Sequence, residues 1–295
     1  MNTRESRLVP VPGHRLHLLT VAPEGLPPEA PALLALHGMF THGAFFLNGR
    51  DEGPGAAFLE AGYRLHIGDL RGHGKSERED PRADWNLDAY IREDIPAMIR
   101  AIEGPGPLYL LAHSMAGYAA LAALGCDPTL QERLRGAVVL SAAVNDYSDG
   151  GFSKRLQIPF SAWISGLLGH FPAKALKMGP CDEPPGLMRQ FAEWAPNGDF
   201  RGSDGTDYWA ALKAVTLPVF ALIGAADLFH ASPARARKLF DHLGSSDGTF
   251  QICGKEQGFS KDFEHVDILR SGAAKAEVIP RITAWLDAHG AHAAP

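Results

Sequence analysis

Short apolar runs alternate with stretches of helical periodicity along most of this chain. That alternation constrains the fold more than any other feature, because it requires a parallel sheet whose strands are joined by crossover helices. The strand candidates are residues 32–36, 63–67, 108–111, 137–141, 217–223 and 250–252. Residues 15–21 read as a further strand, in a hairpin that turns at Pro12-Gly13. Helical patterns occupy 56–61, 87–102, 116–124 and 273–289, with Ile91, Ile95, Met98 and Ile102 on one face of the second. Pro280 predicts a kink or a helix start within the last. The expectation is an α/β fold with a mostly parallel central sheet of about eight strands flanked by helices.

One stretch breaks the alternation. Residues 145–212 hold Phe152, Phe160, Trp163, Leu167, Leu168, Phe171, Met178, Met188, Phe191 and Trp194 between two strand candidates. They read as a helical cap inserted into a core of residues 1–144 and 213–295. With 295 residues, one large domain carrying an insertion fits better than two independent domains.

Composition narrows the function classes. The net charge is -6, and no basic stripe is present, which argues against a nucleic-acid partner. Cys126, Cys181 and Cys253 form neither a disulfide framework nor a metal pair. No metal-ligand spacing or redox-cofactor motif is found, so neither a metal nor a cofactor is expected. No apolar run is long enough to span a bilayer, and no apolar stretch follows Met1–Arg7, so a cytoplasmic location is expected.

The most informative segment is Leu108-Tyr109-Leu110-Leu111-Ala112-His113-Ser114-Met115-Ala116-Gly117. An apolar strand stops at a serine, and small residues start a helix at once. Such a turn strains the serine backbone, lifts its hydroxyl above the sheet and aims free helix N–H groups at a nearby negative oxygen. The segment resembles the nucleophile elbow of the α/β-hydrolase family, Gly-x-Ser-x-Gly, with Ala112 and Ala116 in the glycine positions.

The rest of that family's pattern follows in order. His37-Gly38-Met39-Phe40 resembles its oxyanion segment. The resemblance implies one oxyanion N–H from Met39 and a second from Met115. Asp69-Leu70-Arg71-Gly72-His73-Gly74-Lys75-Ser76 resembles the family's glycine loop, for which a structural role is expected. The acid should follow the strand after the insertion, where Leu217–Ile223 leads to Asp227. The base should precede the last helix, where Phe263-Glu264-His265-Val266-Asp267 offers His265. His113, His230 and His242 compete with His265, and Asp262 and Asp267 compete with Asp227. The stretch from Gly179-Pro180 to Trp194 is similar to the insertion of uncharacterised bacterial members of the family.

The resemblance implies a serine hydrolase of the carboxylesterase type, with catalytic residues Ser114, Asp227 and His265. The substrate class is a small-molecule ester, thioester or lactone with a hydrophobic portion. Phe40, His113, Trp163 and His230 are candidate pocket residues. Acyl transfer, C–C bond hydrolysis and a non-catalytic ligand receptor are the alternatives on the same fold. No Asp stands at the nucleophile position, which disfavours dehalogenase and epoxide-hydrolase chemistry. The sequence leaves the oligomeric state open.

Overall fold

The computed structural model describes residues 1–80, 83–149 and 151–290. Its strands are β1 (Asn2–Val11), β2 (His14–Pro23), β3 (Ala32–Leu36), β4 (Arg64–Gly68), β5 (Glu77–Arg78), β6 (Leu108–His113), β7 (Gly136–Leu140), β8 (Val219–Gly224) and β9 (Gly248–Cys253). All lie in one sheet, ordered β1-β2-β4-β3-β6-β7-β8-β9, with β5 pairing on β2. From β4 to β9 the neighbours run parallel, while β1, β2 and β5 form an antiparallel margin. This is the expected mostly parallel sheet flanked by helices, with nine strands among the described residues rather than about eight. The two residues of β5 are too few to carry an apolar pattern.

Alternation along the strands fills two cores. Leu34, Leu110 and Val139 face Ile91, Met98, Leu121 and Leu124 on one side. Leu33, Tyr109, Leu111, Val138 and Leu222 face Phe58, Val278, Ile282 and Leu286 on the other. The antiparallel hairpin turns at Gly13, whose φ of 70° favours glycine.

Two helices differ from a simple periodic reading. Residues 87–101 form one rod, but Tyr90–Asp94 is a π-helical turn in which Ile95 N–H reaches Tyr90 C=O. Pro96 lies directly beyond it and cannot donate the regular bond one turn back. The last helical region divides into Gly272–Glu277 and Ile279–Gly290, with Pro280 in the first turn of the second, where its missing N–H costs nothing.

The site position follows from sheet order. β3 and β4 extend the sheet to one side, and the chain then places β6 on the other flank of β3. Strand order therefore reverses between β3 and β6, and the carboxyl ends of parallel strands at such a point frame a crevice. Leu36 pairs with Ala112 and His113 with Leu140, so the ends of β3, β6 and β7 lie side by side.

Between β7 and β8 the chain forms helices Gly151–Leu168, Pro185–Trp194 and Tyr208–Ala211. Phe171, Ala173 and Met188 make a small cluster against Met39 and Phe40, at the end of β3. Leu187, Phe191, Trp194, Phe200, Tyr208 and Leu212 join the main core instead. Phe152, Phe160, Trp163, Leu167 and Leu168 point into solvent and line no interior.

Candidate active site

Ser114 sits between the end of β6 and the helix Met115–Cys126, with φ 58° and ψ −125°. Few residues other than glycine adopt this conformation, and it is held by the sheet: Ser114 N–H donates to Leu140 C=O at 2.8 Å. Close packing explains the small neighbours. A methyl on Gly117 would come within 2.6 Å of Ala142 Cβ, and Ala112 and Ala116 are fully buried.

The His265 imidazole meets that serine. Ser114 Oγ–H donates to Nε2 at 2.8 Å, and Nδ1–H donates to Asp227 Oδ2 at 2.6 Å. The carboxylate fixes the ring tautomer, leaving Nε2 free to accept. Asp227 is buried, and its other oxygen accepts Ala231 N–H at 3.0 Å. The loops carrying acid and imidazole are tied together by Ala226 N–H donating to Phe263 C=O at 2.9 Å. Gly224 permits this, since a side chain there would collide with that carbonyl.

His113 and His230 flank His265, with ring centroids 5.0 Å and 4.7 Å away. His113 Nε2–H donates to the His265 carbonyl at 2.8 Å, and its ring stacks on Phe45 at 4.7 Å. Burial and then the nearby His265 push the His113 pKa down to about 3, so this imidazole stays neutral. It braces the His265 loop from beneath. The other competing groups lie apart: His242 bonds to Lys238 and packs on Trp209, while Asp267 and Asp262 accept from the backbone of their own loop.

The segment after β3 lies against the serine. A methyl on Gly38 would stand 2.8 Å from Ser114 Cβ. Met39 and Met115 both line a cavity of roughly 100 Å³ beside Ser114, with Tyr118, Ser141, Ala143, Asn145, Phe191, Phe229 and His230. Met115 opens its helix, so its N–H has no intrahelical acceptor, and the helix end favours negative charge there. A negative oxygen bound beside Ser114 would sit in that field.

Of the candidate pocket residues, His230 lines this cavity and His113 lies beneath the catalytic-type imidazole. Phe40 and Trp163 do not line it. Phe40 has φ 64°, packs its ring on Phe171 and gives its N–H to Glu183 Oε1 at 2.6 Å, so it anchors the crossover segment. Trp163 is on the solvent side of its helix, because the inner side is taken by Lys154 and Ser165. Periodicity overlooks Tyr118, Ser141 and Asn145. Tyr118 could be found as one helical turn beyond Ser114, and Ser141 as the first residue after the next strand. Ser141 has φ 50° and a buried hydroxyl with no hydrogen-bond partner among the described residues.

The loop after β4 is a scaffold. Asp69 accepts N–H bonds from Gly43 (2.6 Å) and Lys75 (2.9 Å) and one from His17 Nδ1 (3.0 Å). Gly74, at φ 53°, leaves room for that carboxylate. Arg71 is buried with Asp94, its Nε–H donating at 2.8 Å.

The model of the alpha/beta hydrolase family matches residues 33–266. No curated protein sequence matches the chain significantly. Among solved structures, Est1E from Butyrivibrio proteoclasticus, with ferulic acid bound, has a TM-score of 0.64 at 14% identity, covering 96% of this chain and 98% of that one. A monoacylglycerol lipase from Paleococcus ferrophilus has a TM-score of 0.59 at 17% identity, covering 98% and 99%. A putative non-heme bromoperoxidase, BpoC, from Mycobacterium tuberculosis H37Rv has a TM-score of 0.61 at 17% identity, covering 98% and 96%. At these identities the likeness establishes a common fold. With the family model spanning most of the sequence, this chain belongs to the alpha/beta hydrolase family.

Proposed function

We propose that the protein is a serine hydrolase that cleaves a carboxylic ester through an acyl-serine intermediate. The observation that carries this reading is the unbroken chain of hydrogen bonds from Ser114 Oγ through His265 to Asp227. As Oγ attacks the ester carbonyl carbon, His265 Nε2 takes the hydroxyl proton. The tetrahedral oxyanion is held by the N–H groups of Met39 and Met115, each donor being worth about 3 kcal/mol of barrier. The C–O bond to the alcohol then breaks, and His265 returns the proton to the departing oxygen. Water repeats the attack on the acyl-serine, releasing the acid and restoring Ser114. Asp227 stabilises the imidazolium in both halves.

The monoacylglycerol lipase shares this fold, and its name supports the ester assignment. The bromoperoxidase name on the same fold shows why the assignment rests on the site. Residues 145–212 act as a cap, with Phe191 and Asn145 contributing to the acyl side.

A fluorophosphonate probe tests the reading. Wild type is expected to be labelled at Ser114, Ser114→Ala to stay unlabelled, and His265→Ala to react far more slowly. An unlabelled wild type, under conditions that label a control esterase, refutes it.

A further inference from the structure

The helix Gly151–Leu168 is amphipathic in the reverse sense for a globular protein. Phe152, Leu156, Phe160, Trp163 and Leu167 fall within about 80° of arc at the α-helical repeat. All five face solvent, at 57–74% exposure. The buried positions, Lys154 and Ser165, lie on the other side. Beyond the helix end, Leu176 and Met178 are exposed as well. Large apolar side chains gathered this way mark a surface that something covers.

Charge selects the occupant. Residues 151–181 contain Lys154, Arg155, Lys174 and Lys177 and no acidic residue, in a chain whose net charge is -6. Lys154 is buried on Asp149, and Lys174 Nζ stands 3.8 Å from Asp182, which leaves Arg155 and Lys177 as the exposed cations of this stretch outside those pairs. A second copy docking through this face would bring the same cations together. An anionic sheet of headgroups would meet them with opposite charge, while Trp, Phe and Leu enter the acyl boundary. No helix among the described residues is long and apolar enough to cross a membrane, so this element would lie on a bilayer.

The opposite, inner side of this helix adjoins the candidate site. Lys154 Nζ stands 5.7 Å from the Phe229 ring, and Phe229 lines the cavity at Ser114. We propose that the outward face of helix Gly151–Leu168, with Leu176 and Met178, docks the protein on an anionic lipid surface.

Flotation of the full chain with phosphatidylcholine vesicles, with and without phosphatidylserine, tests this independently of turnover. The expected result is capture by the phosphatidylserine vesicles, weakened by salt, and little capture by phosphatidylcholine alone. The double variant Phe160→Asp, Leu167→Asp should lose at least about tenfold in partitioning, with unchanged circular dichroism and fluorophosphonate labelling. Arg155→Glu with Lys177→Glu should abolish the preference for phosphatidylserine. Wild type that floats with neither vesicle overturns the proposal, as does undiminished capture of the Asp variant. A wild-type dimer in sedimentation velocity that this variant converts to monomer overturns it in favour of a second copy.

Discussion

Gly38 and Ser114 are packed so closely that the first has no room for a side chain: a Cβ on Gly38 would sit 2.8 Å from Ser114 Cβ and 3.2 Å from its Oγ. They follow neighbouring strands, β3 and β6, and this contact sets the Met39 backbone beside the serine. Gly38→Ala must push the two segments apart. A stability loss of about 1–3 kcal/mol is expected from overpacking. Fluorophosphonate labelling should slow at least about tenfold, because the displaced atoms include the proposed oxyanion donor at Met39. Thermal unfolding and labelling rates check both parts. A variant that labels at the wild-type rate refutes the assignment of Met39.

Asp227 orients an imidazole; it does not touch the serine. Asp227→Asn keeps the volume but offers an amide N–H where Nδ1–H now donates, which favours the wrong ring tautomer. kcat for a p-nitrophenyl ester should fall roughly a thousand- to ten-thousandfold. The fold, read by circular dichroism, should persist. Equal activity in the variant would show that another carboxylate serves His265.

The cavity beside Ser114 holds roughly 100 Å³, below the range of about 300–1,000 Å³ usual for drug-sized ligands. Short acyl groups should therefore be preferred. In a series of p-nitrophenyl esters, kcat/KM should peak at acetate to butyrate and fall for octanoate. Phe191→Ala should move the optimum to longer chains, because Phe191 forms part of the wall. A wild-type preference for long chains would mean that the wall opens in solution.

Two deeply buried histidines should contribute to a loss of stability in acid. Burial, and then the neighbouring His73, pushes the His37 pKa down to about 3; burial, and then His265, does the same for His113. Both values lie below the ordinary 6.5, so between those limits the unfolded chain binds more protons. Their contribution is complete above about pH 6.5 and is lost as pH falls toward 3. The slope is about 1.4 kcal/mol per pH unit for each group. Urea unfolding midpoints between neutral and acid pH should fall accordingly, and His113→Gln should shallow the decline. A flat profile below about pH 6 contradicts it.

Much of the fold was legible along the chain. The strands β3, β6, β7 and β8 announce themselves as apolar runs bounded by turn residues, because a strand buried on both faces needs apolar side chains throughout. The helix Pro233–Asp241 does not announce itself, since only Ala236 and Leu239 of its apolar residues are buried. The π turn at Tyr90–Asp94 is equally silent until Pro96 is weighed against the backbone bond it removes.

Residue types and spacing determined the parallel sheet, the strained serine at a strand end, and an acid and an imidazole on later loops. Each is a local demand of backbone geometry and side-chain chemistry. Only the tertiary structure decided that Gly38 abuts Ser114, that Ala226 ties its loop to Phe263, and that Ser141 and Tyr118 face the same small cavity. It also decided that Trp163 looks outward. Helical periodicity establishes which side chains share a face, but which way that face turns depends on what the rest of the chain packs against it.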